Sequence, residues 1–170
     1  VAEQNTKGII TEDTMVDITE ECWRMEGSRM IIKEGTEVSI SELLKGVIIQ
    51  SGNDASCALA EKIAGSQSAF ADLMNNYAEQ LGLDNTNFVN PTGLPDINHY
   101  STANDIAKLS IRLIEDFPDN YALFKEKEYT FNNIRQLNRN SLLWQDDSID
   151  GIKTGPVSYT HLTLPTISVV

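Results

Sequence analysis

Two short polar stretches of the chain combine residue types that can pass a proton, donate hydrogen bonds and supply a positive charge. The first is QSGNDAS, in which Ser51, Gly52 and Asn53 separate two helical patterns. Gly52 interrupts the helical run, so a hydroxyl that can pass a proton and an amide that can donate a hydrogen bond can point to one side. Taken alone, the stretch is more typical of helix ends, with Ser51 closing one helix and Asn53 or Asp54 capping the next.

The second stretch is Lys153-Thr154-Gly155, at the end of a strand predicted over residues 149–155. A lysine at a strand edge supplies a fixed positive charge. A glycine there lets the backbone of a bound peptide approach and pair with the strand. Taken alone, the tripeptide is more typical of a solvated lysine before a turn.

The elements that must position these stretches are mostly helical. Residues 15–18 and 29–33 have the β-branched and apolar character of short strands, with a turn at Gly35 between extended pieces. Capping and apolar periodicity then predict helices over residues 39–50, 54–65, 68–82 and 101–115, and a further strand over 127–131. The apolar stripes are predicted to form the core, and the longest consists of Phe70, Leu73, Met74, Tyr77 and Leu81.

Composition bounds the function. The 170 residues suffice for one domain with a core, and their formal net charge of −12 argues against nucleic acid or an anionic membrane surface as the main partner. Cys22 and Cys57 lack metal-ligand spacing. Cys57 lies in an alanine-rich helical stretch, so we expect a buried free thiol there; the sequence does not decide whether the two cysteines pair.

Ser-x-Asn followed by Lys-Thr-Gly forms two thirds of the signature of the penicillin-interacting serine enzymes, whose remaining third is Ser-x-x-Lys. The chain closely resembles the low-molecular-weight penicillin-binding proteins that are serine-type D-alanyl-D-alanine carboxypeptidases. The resemblance covers roughly residues 1 to 155. It rests on LKGVIIQSGNDASCALAEKIAGS, FADLMNNYAEQLGLDNTNFVNPTGL, YSTANDIAKLS, FKEKEYTFNNIRQLNRNSLLW and DGIKTG.

The resemblance implies an α+β, penicillin-binding or β-lactamase-like transpeptidase fold, here mostly the helical subdomain with a partial antiparallel sheet. It implies attack of a serine on the carbonyl of a terminal D-Ala-D-Ala bond, release of D-alanine and hydrolysis of the acyl-enzyme. By this resemblance, Ser51 would shuttle a proton, Asn53 would orient the substrate amide and Lys153 would support the electrostatics of the site. Thr154 and Gly155 would hold the substrate along the strand, and Arg139 would lie near its carboxylate or be an ordinary surface arginine.

The nucleophile itself is not among these residues. None of the eight lysines lies three residues after a serine or threonine, and Ser41 to Lys45 is one residue too long. We therefore expect the family's Ser-x-x-Lys helix to precede Val1 in a longer protein, and this chain alone to be inactive. A serine-histidine-aspartate triad is a poor substitute, because His99 is expected to be exposed in a polar loop and His161 lies in an unusual tail.

That tail, VSYTHLTLPTISVV, contains no charged residue. It resembles a translated sequencing adapter. We expect residues 1–156 to be a partial carboxypeptidase domain and 157–170 to be non-native, with Pro156 at the junction.

Alternatives remain open at this point. They are a β-lactamase on the same fold, a non-catalytic peptidoglycan-binding module, and an acidic helical domain with coincidental tripeptides. The family resemblance implies peptidoglycan pentapeptide stems as substrate, β-lactams as inhibitors, no cofactor or metal, and an extracytoplasmic location. It also implies that any membrane anchoring would come from a C-terminal segment outside this chain.

Overall fold

The computed structural model describes residues 1–155. Helices carry most of the architecture: α1 (Ala2–Thr6), α2 (Glu20–Trp23), α3 (Ile40–Lys45), α4 (Asn53–Ala64), α5 (Gln67–Gln80), α6 (Ala103–Asp116) and α7 (Pro118–Ala122). A π-helix (Gly46–Gln50) continues α3, and 3₁₀ turns occupy Leu123–Lys125 and Ser141–Trp144. The strands are β1 (Met15–Asp17), β2 (Glu37–Ser39), β3 (Glu128–Phe131) and β4 (Ile134–Leu137).

The helix ends follow the predicted capping signals. The Ser39 hydroxyl accepts the backbone N–H of Glu42 at 3.3 Å, which confirms the predicted cap of α3. Gly65 ends α4 with a left-handed φ of +81°, and Gly82, with a φ of +66°, follows the end of α5. The prediction of a helix over 101–115 is also confirmed, with Thr102 accepting the N–H of Asp105 at 3.2 Å.

The strands form two antiparallel pairs. β1 pairs with β2, with Val16 opposite Val38, and β3 pairs with β4, with Thr130 opposite Arg135. Asn132 and Asn133 connect β3 to β4 with positive φ values of 48° and 63°, as a two-residue hairpin requires. The predicted strands at 15–18 and 127–131 are confirmed within one residue.

The main core lies between α4, α3 and the β1–β2 pair. Many of its fully buried members lie within residues 22–57: Cys22, Met30, Ile32, Ile40, Leu43, Ile49, Ala55 and Cys57. The predicted stripe on α5 is only half-buried, whereas the small side chains Ala71 and Ala78 are buried on that helix. The expectation that the larger residues form core is therefore wrong for this stripe. α5 packs on α4, and its buried residues are these alanines.

Two predicted strands are absent from the described residues. Residues 29–33 are irregular because the Asp54 carboxylate accepts the backbone N–H groups of Met30, Ile31 and Ile32 at 2.9, 2.9 and 3.2 Å. These donors are thereby withdrawn from any sheet ladder. Residues 149–155 are also irregular, since no segment among residues 1–155 pairs with them.

The expected free thiol at Cys57 is wrong. Cys57 on α4 is bonded to Cys22 on α2 in a disulfide, with Cα atoms 5.3 Å apart and 35 residues of separation. Both residues are completely buried. A cross-link over a loop of this length stabilises the folded chain by about 4 kcal/mol in the chain-entropy account. Alanine-rich helical context predicted the burial of Cys57 but not its covalent partner.

Candidate active site

The Ser51-Gly52-Asn53 turn is a strained connection between two helices. Ser51 ends the π-helix in the left-handed region, with φ 63° and ψ 41°, a conformation that non-glycine residues adopt at a cost. Gly52 is extended, and its N–H donates to the Gly46 carbonyl at 2.9 Å. A Cβ on Gly52 would lie 2.9 Å from the Asp54 carboxylate and 3.1 Å from the Met30 nitrogen. The glycine is therefore required by the close approach of neighbouring groups.

Asn53 is the first residue of α4 and is buried. Its side-chain amide donates to the Glu26 carbonyl at 2.7 Å, and its backbone N–H donates to the Ser28 carbonyl at 2.8 Å. Gly27, between these two acceptors, has a φ of +82°, and a Cβ there would lie 2.7 Å from the Asn53 Nδ2. The backbone of residues 26–28 thus fixes the Asn53 side chain on one side of the turn.

Asp54 supports the candidate site, and sequence reasoning did not select it as a site residue. Its side chain is 1% exposed, and both carboxylate oxygens accept hydrogen bonds from backbone N–H groups, three of which belong to residues 30–32. A fourth bond comes from the Ala55 N–H. This carboxylate also holds Ile31 at a φ of 68°, an outlier for a β-branched residue. The sequence signalled Asp54 only as a possible helix cap.

Arg139 connects the turn to the second polar stretch. Its guanidinium Nε donates to the Gln50 carbonyl at 2.9 Å, and its backbone N–H donates to the Ile49 carbonyl at 3.3 Å. Arg139 therefore lies beside the peptide bond that precedes Ser51, although the two residues are 88 positions apart in the chain. Its side chain is exposed, which leaves the guanidinium open to an anionic ligand.

Lys153 lies within electrostatic range of Arg139. Its side chain keeps an exposed surface, yet it is crowded by surrounding protein atoms. This desolvation, together with the charge of Arg139, lowers the pKa of Lys153 to about 8. Its Nζ donates to the Thr154 carbonyl at 3.1 Å. Arg139 therefore contacts the Ser51 turn, its charge reaches Lys153, and Asn53 is anchored at the base of the turn.

The stretch before Lys153 is anchored by the preceding loop. Asn140 is buried and donates from Nδ2 to the Gly151 carbonyl at 3.2 Å. The Tyr121 hydroxyl donates to the Asp150 carboxylate at 2.7 Å, and burial together with that carboxylate raises the pKa of Tyr121 to about 12. Gly151 lies against the Tyr121 ring, where an added Cβ would be 3.1 Å from the hydroxyl oxygen.

Other candidate groups have ordinary structural roles. His99 is half-buried, not exposed as expected; its Nδ1 accepts the Val89 N–H at 3.4 Å, and its ring meets Phe88 edge to face. Burial lowers the pKa of His99. Cys22, Cys57 and Glu61 place potential metal-ligand atoms within 4.8 Å of one another, but the disulfide uses both sulfurs. His161 and the 157–170 tail lie outside the described residues.

Comparison with known proteins assigns the family. The sequence model of the D-alanyl-D-alanine carboxypeptidase family matches residues 1–164. The chain is 51% identical over 148 residues to the D-alanyl-D-alanine carboxypeptidase DacC of Escherichia coli, covering 83% of this chain and 37% of that protein. It is 46% identical over 162 residues to DacA of Haemophilus influenzae, covering 93% and 41%. The chain belongs to the D-alanyl-D-alanine carboxypeptidase family.

The fold agrees with that assignment. The crystal structure of penicillin binding protein 5 from Haemophilus influenzae superposes with a TM-score of 0.86 at 45% identity, over 91% of this chain and 46% of that one. The chain therefore has the transpeptidase, β-lactamase-like fold over the part it shares. It spans about 40% of the length of the curated relatives it matches. None of the helices in residues 1–155 is long and apolar enough to cross a membrane.

Proposed function

We propose that the full-length protein carrying this chain is a serine D-alanyl-D-alanine carboxypeptidase that trims peptidoglycan stem peptides. The observation that carries the proposal is the contact of Arg139 with the Ser51-Gly52-Asn53 turn, from which it is distant in sequence, in a member of this family. A hydroxyl, an anchored amide and two exposed cations suit a peptide ending in a carboxylate.

Each group has a distinct proposed role. Ser51 passes a proton between the reacting groups, and Asn53 binds the amide of the substrate. Lys153, with its pKa lowered to about 8, is partly neutral slightly above neutral pH and can take part in proton transfer as well as attract the substrate. Arg139 binds the terminal carboxylate, while Thr154 and Gly155 align the peptide backbone.

The acylated serine and its lysine base are proposed to come from a Ser-x-x-Lys motif elsewhere in the full-length protein. The 170 residues contain no such spacing. Attack by that serine on the D-Ala-D-Ala carbonyl forms an acyl-enzyme and expels D-alanine. Water then hydrolyses the ester and restores the hydroxyl. On this proposal residues 1–156 supply part of the site and 157–170 supply none of it.

Inhibitor binding and location are part of the same proposal. β-Lactams should acylate the same serine, as the name of the matching penicillin binding protein suggests. An extracytoplasmic location is supported by the Cys22–Cys57 disulfide, because such bonds persist in oxidising compartments. The acidic surface, with a net charge of −12, gives no support for a nucleic-acid partner.

The test is release of D-alanine by the full-length gene product from a peptide ending in D-Ala-D-Ala. Ser51→Ala and Asn53→Ala should each lower kcat/KM about 10² to 10³-fold. Their matched controls are Ser68→Ala and Asn76→Ala, because both residues are exposed on α5. A wild-type protein that releases no D-alanine would contradict the proposal.

A labelled penicillin separates the alternatives. A carboxypeptidase should be acylated and release the label slowly, whereas a β-lactamase should turn it over rapidly. A peptidoglycan-binding module should bind stem peptides without either reaction.

A further inference from the structure

The Cys22–Cys57 disulfide lies next to the candidate site. Cys57 is one helical turn after Asn53 on α4, and Cys22 is on α2, four residues before Glu26. The chain from Cys22 to Ile32 runs along the first turn of α4, and we name it the 22–32 segment. Its near end is bonded covalently to α4, and its far end is bonded to the Asp54 carboxylate.

The middle of the 22–32 segment sets the position of Asn53. The Glu26 carbonyl accepts the Asn53 side-chain amide at 2.7 Å, and the Ser28 carbonyl accepts its backbone N–H at 2.8 Å. Gly27 lets the segment approach this closely, since an added Cβ would contact Nδ2 at 2.7 Å. A shift of residues 26–28 would therefore move the Asn53 amide.

Other polar contacts between α2 or its cap and their neighbours in residues 1–155 are weaker than the disulfide. The Thr19 hydroxyl donates to Glu61 at 3.0 Å, and Gln67 donates to Glu21 at 2.7 Å, but both bonds are exposed and water competes with them. The disulfide is covalent and buried, so water does not compete with it. It is therefore the strongest restraint on the near end of the segment.

We propose that the Cys22–Cys57 disulfide is a positioning element for Asn53. It holds α2 against α4 so that the Glu26 and Ser28 carbonyls fix the Asn53 amide for the substrate. This inference rests on the proposed function, in which Asn53 binds the substrate amide. Neither cysteine touches the substrate, so their effect on the reaction passes through Asn53.

Reduction gives a direct way to remove the restraint. A dithiol such as dithiothreitol attacks one sulfur, forms a mixed disulfide and then closes its own ring. It loses two electrons and two protons, and Cys22 and Cys57 each gain a thiol hydrogen. The Glu61 carboxylate lies 3.9 Å from the Cys57 sulfur and repels an incoming thiolate, so reduction should require local opening.

The kinetic test is a double-mutant cycle in the full-length gene product. The change of Cys22→Ala together with Cys57→Ala should lower the acylation rate constant for a labelled penicillin about tenfold. Combined with Asn53→Ala, the cysteine changes should cause less than a further twofold loss. An equal loss in both backgrounds would mean a general structural role and would overturn the proposal. An unchanged rate after the cysteine changes would overturn it as well.

Hydrogen exchange provides a readout that is independent of activity. In the reduced wild-type protein, with two thiols confirmed by titration, the Asn53 backbone amide should exchange at least tenfold faster than in the oxidised protein. An unchanged exchange rate would overturn the proposal. This measurement uses the wild-type protein, so it remains decisive even if the variant with both cysteines changed to alanine does not fold. If the oxidised protein neither acylates nor releases D-alanine, the proposed function fails, and the exchange rate still decides the positioning role.

Asn75→Ala is the matched control for lost stability. Asn75 makes two 2.8 Å hydrogen bonds with the backbone of Phe88, between α5 and the following loop. Its loss should lower Tm without changing the acylation rate or the exchange of the Asn53 amide. A similar acylation loss in this variant would show that global destabilisation alone explains the cysteine effect.

Discussion

The two halves of the candidate site are held by different means. The Ser51-Gly52-Asn53 turn is fixed by a disulfide and by hydrogen bonds from Asn53 and Asp54 to the 22–32 segment. The Lys153-Thr154-Gly155 stretch is irregular and is anchored before Lys153, through Gly151 and Asp150. Arg139 contacts the first half and influences the second.

This difference shows where preorganisation originates. The first half is positioned mainly by residues 20–57, a contiguous part of the chain that supplies most of the main buried core. The second half needs the loop after β4 to place it, and among residues 1–155 no strand pairs with it. Changes in the first half should therefore cost stability, and changes in the second should mainly alter local charge and position.

The largest effect is expected from Asp54→Asn in the full-length gene product. Both carboxylate oxygens accept hydrogen bonds from backbone N–H groups. In either orientation of the asparagine, its side-chain NH2 group would face backbone donors and could not accept their hydrogen bonds. The free energy of unfolding should fall by about 3 kcal/mol, measured by urea denaturation. Asp72→Asn is the control, because Asp72 is exposed on α5. An equal loss in both variants would show that the backbone bonds are unimportant.

Gly46→Ala should have the next largest effect. An added Cβ would collide with the Met30 sulfur, inside the core that supports the turn. Overpacking of this kind costs about 2 kcal/mol in the free energy of unfolding. Combining Gly46→Ala with Met30→Ala should cost less than the sum of the two single changes, because the clashing sulfur is gone. Additive losses would contradict the assigned contact.

Local signals in the sequence were sufficient for much of the fold. The cap of α3 by Ser39, the glycine after α4 and the β3 strand each depend on a few adjacent residues. The failures involve partners distant in sequence. Residues 29–33 do not form the predicted strand, because their backbone N–H groups bind Asp54, which is 24 positions from Met30. Cys57 is not a free thiol, because it is bonded to Cys22, 35 positions away.

The candidate site divides in the same way. Ser51, Asn53 and Lys153 were predicted because their spacing matches a family signature, and Arg139 was predicted from the wider resemblance. The structure shows Arg139 next to the Ser51-Gly52-Asn53 turn, because its Nε donates to the Gln50 carbonyl. Asp54 carries no signature of its own as a single acidic residue at a helix start, a position where a cap is common. The roles assigned to these residues stay predictions until the kinetic tests are made.

A smaller effect is expected in the second half from Tyr121→Phe. The change removes the 2.7 Å hydrogen bond to Asp150 but keeps the ring that packs beside Gly151. The free energy of unfolding should fall by about 1 kcal/mol, measured by urea denaturation. Tyr100→Phe is the control, since Tyr100 is 56% exposed. If Tyr121→Phe lowered the free energy of unfolding as much as Asp54→Asn, the two halves would not differ in their contribution to stability, which contradicts the prediction.

Arg139→Gln should have the smallest effect on stability and a clear effect on charge. Desolvation and then the charge of Arg139 lower the pKa of Lys153 from its ordinary value of 10.5 to about 8. Removing the guanidinium should raise that pKa while leaving it below 10.5, because desolvation remains. A titration of the Lys153 side chain by NMR in the full-length gene product measures the change. Arg135→Gln is the control, because Arg135 is exposed and paired with Glu128.

The sign of the accompanying pH dependence follows from proton linkage. Lys153 has a lower pKa folded than unfolded, so between about pH 8 and 10.5 the unfolded chain holds more protons. The contribution of Lys153 therefore increases the free energy of unfolding as pH rises through that window. The gain should shrink in Arg139→Gln, and it should be small throughout because Lys153 keeps an exposed surface that water and salt can screen. A Lys153 pKa that is the same with and without Arg139 would mean that the two halves of the site are electrostatically independent.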